Sequence, residues 1–127
     1  MYLPANLTYL TFGDRFNQKV YLPCNLIHLT FGNNFNQKVD LPINLTHITF
    51  GCDFNQTVLL PEKLTHLTLD CQTLSLNSLK LSSSNLTHLT FGNCFCYESK
   101  EKSAININNK LTKNVTHLKF ARHFNRK

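Results

Sequence analysis

Leu26-Ile27-His28-Leu29-Thr30-Phe31-Gly32 decides the fold, because the chain writes this stretch six times with small changes. The copies begin at Leu7, Leu26, Leu45, Leu64, Leu86 and Val115, so successive spacings are 19, 19, 19, 22 and 29 residues. A nearly fixed period of this size is the mark of stacked coils, each needing its neighbour to cover its apolar side. Within the stretch, Leu29 and Phe31 alternate with His28 and Thr30, the period expected of a strand with one buried face. Leu and Phe therefore point inward, His and Thr outward. Coils this short cannot turn a hairpin and return to the same place. Successive strands must then run parallel, about 4.8 Å apart.

Working outward, the first three coils align without a gap as LPxNLTHLTFGxxFNQKV from Leu3, Leu22 and Leu41. Stacking converts each position into a column. The inner columns read Leu10, Leu29, Ile48, Leu67, Leu89, Leu118 and Phe12, Phe31, Phe50, Leu69, Phe91, Phe120, with a third from Leu7 to Val115. Phe16, Phe35, Phe54, Phe95 and Phe124 fill the far side with Val20, Val39 and Val58. All four glycines, Gly13, Gly32, Gly51 and Gly92, follow the strand, where either a positive φ or a crowding coil requires them. All four prolines, Pro4, Pro23, Pro42 and Pro61, precede the next strand and suit extended corners, not helix. Asn17, Asn36, Asn55 and Asn125 follow the far-side Phe. A buried ladder of them would satisfy the backbone of neighbouring coils. Gln18, Gln37 and Gln56 beside them are expected to be exposed on a short second strand.

The expected architecture is a β-solenoid of six stacked coils of about 19 to 29 residues, one parallel strand per coil, with little or no helix. The coils run about 3–21, 22–40, 41–59, 60–80, 81–110 and 111–127 in a single repeat domain, 1–127. Residues 97–110 form a projecting loop inside the fifth coil.

Charge is low and uneven. The 127 residues carry 13 Lys/Arg against 7 Asp/Glu, a net +6. Five basic residues face six acidic ones before Lys100, and eight face one from there on. The bland reading is a basic, solvated solenoid end. No apolar run is long enough to span a bilayer, so no membrane role is expected. The N-terminus begins inside a repeat and does not resemble a secretory signal. An odd count of five cysteines, not tied to the repeat, argues for a reducing, cytoplasmic setting in a host cell or a virion. Asn-x-Thr sequons at Asn6, Asn44, Asn55, Asn85 and Asn114 are mostly the repeat's own spelling and are not read as glycosylation sites.

The unit LxxLxFGxxFN, with Phe-Asn at 16–17, 35–36, 54–55 and 124–125, resembles the FNIP repeat, a relative of the leucine-rich repeat. The resemblance covers nearly the whole chain, although Gln-Lys or Gln-Thr stands where the family name places Ile-Pro. It implies a leucine-rich-repeat-like solenoid whose strands line a concave side. FNIP repeats occur chiefly in amoebae and the giant DNA viruses that infect them, often behind an F-box or kinase domain, as interaction modules. Neither companion domain is present in this sequence, and the resemblance implies no catalytic residue.

The candidate binding face consists of the outward columns Tyr9, His28, His47, His66, His88, His117 and Thr11, Thr30, Thr49, Thr68, Thr90, Lys119. Stacked imidazoles suggest a metal or a pH switch. A ladder lacks the convergent geometry and partner ligands of a zinc site, so a hydrogen-bonded polar face is the reading adopted, with no metal and no cofactor. Cys52 and Cys71 share a column, within disulfide range, with Cys94 one place on, and are expected to remain free thiols. Without a CxxC pair, a cluster with Cys96 is not expected. Asp14, Asp53 and Glu62 sit in loops of different coils and frame no catalytic arrangement, so no enzyme is expected. The expected partner is a protein. Self-association through open coil edges comes second. Nucleic acid, held by Lys110, Lys113, Lys119, Arg122, Arg126 and Lys127, ranks last because no stacking aromatics interleave with them.

Overall fold

The structure is a computed structural model and describes residues 2–70, 79–81, 85–92 and 113–120. Its strands are β1 (Tyr9–Thr11), β2 (His28–Thr30), β3 (His47–Phe50), β4 (Val58–Leu60), β5 (His66–Leu69), β6 (Leu79–Leu81), β7 (His88–Phe91) and β8 (His117–Phe120). Six of them form one parallel sheet in the order β1-β2-β3-β5-β7-β8, one strand from each copy of the repeat. Register follows the sequence columns: Leu29 lies against Ile48, Ile48 against Leu67, Leu67 against Leu89. No helix occurs among the described residues. The fold is a leucine-rich-repeat-like β-solenoid, and its first four coils are described up to Asp70 without a break.

Two tight turns close each of the first three coils, and the first of them recurs in the fourth. The amides of Leu7, Leu26, Leu45 and Leu64 donate to the carbonyls of Pro4, Pro23, Pro42 and Pro61 at 3.1–3.3 Å. Those of Phe16, Phe35 and Phe54 donate to Gly13, Gly32 and Gly51 at 3.2–3.4 Å. Proline and glycine thus each open a turn, which is why both recur in each of the first three coils. Crowding, not a left-handed backbone, holds the glycine column. A Cβ on Gly32 would sit 2.6 Å from the Cα of Asp14, and one on Gly51 would sit 2.8 Å from the Cα of Asn33. Gly13, with no coil beneath it, has open space there.

The core is a row of phenyl and aliphatic layers. Phe31, Phe35, Phe50, Phe54 and Phe91 are at most 1% exposed, as are Leu26, Leu45, Leu67 and Leu69. Within a coil the two rings stack closely, at 3.8 Å for Phe31 and Phe35 and 4.1 Å for Phe50 and Phe54. From coil to coil the same rings are 5.9 to 6.1 Å apart. Each buried ring contributes on the order of 2–3 kcal/mol.

Three expectations need correction. The asparagine ladder exists, with Asn17 Oδ1 accepting the Asn36 amide and Asn36 Oδ1 the Asn55 amide, both at 2.9 Å. It runs along the surface, however, Asn17 and Asn55 being exposed. Gln37 and Gln56 join it, donating to the same oxygens at 3.1 and 3.0 Å, since one carboxamide oxygen has two lone pairs to fill. The coils also carry more than one strand where β4 pairs with β6 in a second parallel sheet. There Val58 lies against Leu79, and a buried Val and Leu on one face favour the pairing. Cys52, finally, is disulfide-bonded to a cysteine outside the described residues, so it is not the free thiol expected; Cys24 is free and exposed. The projecting loop 97–110, Phe95, Phe124, Asn125 and the cysteines 71, 94 and 96 lie outside the described residues.

Candidate functional site

The outward columns assemble as one face. Tyr9 pairs with His28, His28 with His47, His47 with His66, His66 with His88 and His88 with His117. One step along, Thr11, Thr30, Thr49, Thr68, Thr90 and Lys119 pair in the same order. Tyr9, Thr11, His117 and Lys119 at the two ends are exposed, while the central histidines and threonines are half-buried. The reason is stacking. The six rings from Tyr9 to His117 lie face to face with centroids 4.0–4.1 Å apart and planes 7–22° from parallel. Solvent therefore reaches ring edges and not ring faces.

The spacings also give the curvature. Neighbouring strands lie about 4.8 Å apart. The outer rings converge to 4.0–4.1 Å, whereas the phenyl rings beneath the sheet spread to 5.4–6.1 Å. A ribbon bent toward the imidazole side produces both distances. The His/Thr face is thus the concave one, and a small rotation per coil accounts for it.

What holds each ring in place is a residue type that the sequence reading passed over. Oγ1 of Thr46, Thr65, Thr87 and Thr116 lies 2.8 Å from Nδ1 of His47, His66, His88 and His117, the next residue in each case. Each of these hydroxyls also reaches the preceding coil, donating at 3.2–3.4 Å to the carbonyls of Ile27, Thr46, Thr65 and Thr87. A hydroxyl has one proton. Given to the carbonyl, it leaves Oγ1 to accept from an Nδ1–H; given to Nδ1, it puts the ring proton on Nε2. The signal for this role was one exception in the column. Coil two has Ile27 in place of threonine, and Nδ1 of His28 is buried without a hydrogen-bond partner.

The asparagine column just before the strands serves the same corner. Nδ2 of Asn25, Asn44 and Asn85 donates to the carbonyls of Ala5, Cys24 and Glu62 at 3.3, 3.2 and 2.8 Å. In coil four, where lysine replaces asparagine, Nζ of Lys63 donates to Asn44 Oδ1 at 2.8 Å. Asn-Leu-Thr-His is therefore a coil-to-coil fastener.

Burial, followed by the charges of neighbouring imidazoles, holds His47 and His66 below the ordinary histidine pKa. Near-parallel rings aim their free Nε2 lone pairs side by side, so neighbours do not converge on one cation. Among the described residues no group of three His, Cys, Asp or Glu is placed to hold a metal ion. Nor is any described helix long and apolar enough to cross a membrane.

A parallel sheet of one short strand per coil, closed by Pro and Gly turns and bent toward its polar face, defines a solenoid repeat protein of the leucine-rich-repeat type. The FNIP Repeat family model matches residues 2–33, 18–53 and 35–72, together more than half of the 127 residues. The chain belongs to the FNIP repeat family. It is also similar to CroV588, a giant-virus protein whose crystal structure is described as "a novel circular LRR protein structure". Identity is 34% and the TM-score 0.51, over 97% of this chain and 25% of that one. This chain thus spans about a quarter of the length of CroV588. No curated protein matches it. Repeat families and solenoids of this kind are generally non-enzymatic and consistent with protein interaction.

Proposed function

We propose that the chain is a non-enzymatic module for protein–protein interaction that takes its partner on the concave His/Thr face, without a cofactor. The observation that carries this reading is the unbroken register of the outward columns across six strands, which makes a preformed, extended polar surface. Such a surface binds without first paying for its own ordering, and affinity concentrates in a few anchors. The anchors assigned here are Tyr9, His28, His47, His66, His88 and His117, framed by Thr11, Thr30, Thr49, Thr68, Thr90 and Lys119. A cytoplasmic location, in a host cell or a virion, belongs to the same proposal, although the disulfide at Cys52 counts against the reducing setting that the cysteine count suggested. His47→Ala/His66→Ala is expected to keep the circular dichroism of the parent and to lose a partner captured by the parent from host lysate at pH 7.5. Capture retained by the variant places the binding surface elsewhere.

Self-association is the second reading. Leu118 and Phe120 occupy core columns, yet are 50% and 38% exposed on β8. CroV588 is described as a circular LRR protein structure, and this chain covers 25% of it. Light scattering over a concentration series separates the two readings, since a monomer at high concentration removes this one.

A further inference from the structure

The chemistry of the concave face says more about its partner than the repeat class does. The side chains pointing out of β1, β2, β3, β5, β7 and β8 are one phenol, five imidazoles, five threonine hydroxyls and one ammonium. Two columns running the length of the sheet contain no carboxylate. Among the described residues, the carboxylates Asp14, Asp53 and Asp70 lie after the strands, Asp40 is exposed two residues before Pro42, and Glu62 lies beside Lys63 in the corner before β5. None of them is among the causes that set the titration of His47 and His66, which are burial and the other imidazoles. Apart from the imidazoles, the charged side chain of these two columns is Lys119. On acidification nothing within them compensates the charge that appears.

We propose that the imidazole column is an acid-gated docking strip for a carboxylate-rich peptide segment of the partner protein, a role that rests on the chain being an interaction module. The hydrogen-bond arrangement accommodates the second ring proton. At His47, His66, His88 and His117, Nδ1–H donates to a threonine Oγ1, Oγ1–H donates to the carbonyl of the preceding coil, and no polar atom is orphaned. Nε2 of His47, His66 and His88 has no hydrogen-bond partner and is not buried, so its N–H points out as a donor. The curvature gathers these donors 4 Å apart by ring centroid. Two unit charges at that distance repel by about 1 kcal/mol in water. Carboxylates laid along the concave strip relieve this repulsion and form charge-assisted hydrogen bonds with the same N–H groups. Binding and ring protonation therefore strengthen each other. Peptide carboxylates are preferred to a nucleic-acid strand because the ring faces cover one another and leave no platform for a base to stack on.

Poly-L-aspartate is a suitable probe, since it remains ionised at pH 5.5. Titration calorimetry of the whole chain is expected to give an affinity about tenfold or more tighter at pH 5.5 than at pH 7.5, the gain from about one proton taken up per unit of pH below the ring pKa. Repeating it at pH 6 in two buffers of different ionisation enthalpy should register that uptake directly. His47→Gln/His66→Gln is expected to cut the acid gain, the ratio of affinities at pH 5.5 and 7.5, to about threefold or less. Equal affinity at the two pH values, or tightening without proton uptake, overturns the proposal. So does a folded double variant with the full gain, which would place the titrating groups outside the centre of the strip. Should that variant not fold, proton uptake by the parent chain decides alone. An oligo(dT) probe that binds more tightly than poly-aspartate at pH 5.5 reassigns the strip to phosphates and overturns the peptide assignment. Failure of the acid gate alongside histidine-dependent capture at pH 7.5 leaves the interaction module standing; loss of both removes it.

Discussion

Inside the coil, Phe31, Phe35, Phe50 and Phe54 form two columns with coil-to-coil centroids 5.9–6.1 Å apart; outside it, His28, His47, His66 and His88 form one at 4.0–4.1 Å. Both follow from the same repetition. Dry phenyl rings are fixed by partners within their own coil, at 3.8 and 4.1 Å, and by the absence of water around them. Half-wet imidazoles are fixed by their neighbours above and below and, except at His28, by a threonine hydroxyl. The interior column therefore carries stability and the exterior one carries chemistry, so substitutions in the two should report on different properties.

The largest expected effect is in the interior. Phe35→Ala removes a fully buried ring from the middle of its column and is expected to lower stability by about 3–5 kcal/mol, measured by urea denaturation. His47→Ala, one sheet-thickness away, is expected to cost less than about 1 kcal/mol; a cost equal to that of Phe35→Ala would erase the distinction between the columns. The glycine column divides in the same way. Gly32→Ala forces a methyl against the Asp14 backbone and is expected to cost about 1–3 kcal/mol, whereas Gly13→Ala enters open space and should be nearly silent.

Smaller effects test how the outer column is fastened. Ile27→Thr supplies the hydroxyl that His28 Nδ1 lacks, and Ile27 is 36% exposed, so little apolar burial is lost. A gain of about 1 kcal/mol is expected in denaturation. An unchanged midpoint would mean that the hydroxyls orient the rings without stabilising the fold. Acid acts last. The pKa values of His47 and His66 are lowered in the folded chain, so below about pH 6.5 the unfolded chain binds more protons and stability falls as pH falls. These rings retain solvent on their edges, so the loss between pH 7.5 and 5.5 should stay near about 1 kcal/mol or less. A melting temperature that rises on acidification would reverse the assigned sign.

Period and alternation made the sheet legible. Leu29, Phe31, His28 and Thr30 go where a two-residue period sends them, and repetition fixes the register. The resemblance to leucine-rich repeats supplied the concave side, which composition and spacing alone do not give. Less of the fastening was legible, because a column shows that a residue recurs without showing what it bonds. Asn17 and Asn36 were assigned the right bonds and the wrong burial, since bonding the next coil's amide does not require being covered. Thr46, Thr65, Thr87 and Thr116 recur before a histidine with no bond visible in the sequence, and only the odd Ile27 marks them as supports. Cys52 was misread for another reason: column position places two sulfurs near each other and says nothing about whether they are oxidised.

The cross-coil bonds at Asn36 and Asn55 reach back nineteen residues each time, and the sheet bends the same way at every step. Copy number is therefore the natural variable of such a gene. Duplicating one nineteen-residue module leaves every contact with an equivalent and merely lengthens an arc. Extra residues between strands are absorbed as well, since His66 pairs with His88 across 22 residues and His88 with His117 across 29. Lineages that gain or lose whole modules would thus alter the reach of the cupped surface while leaving its grip chemistry untouched.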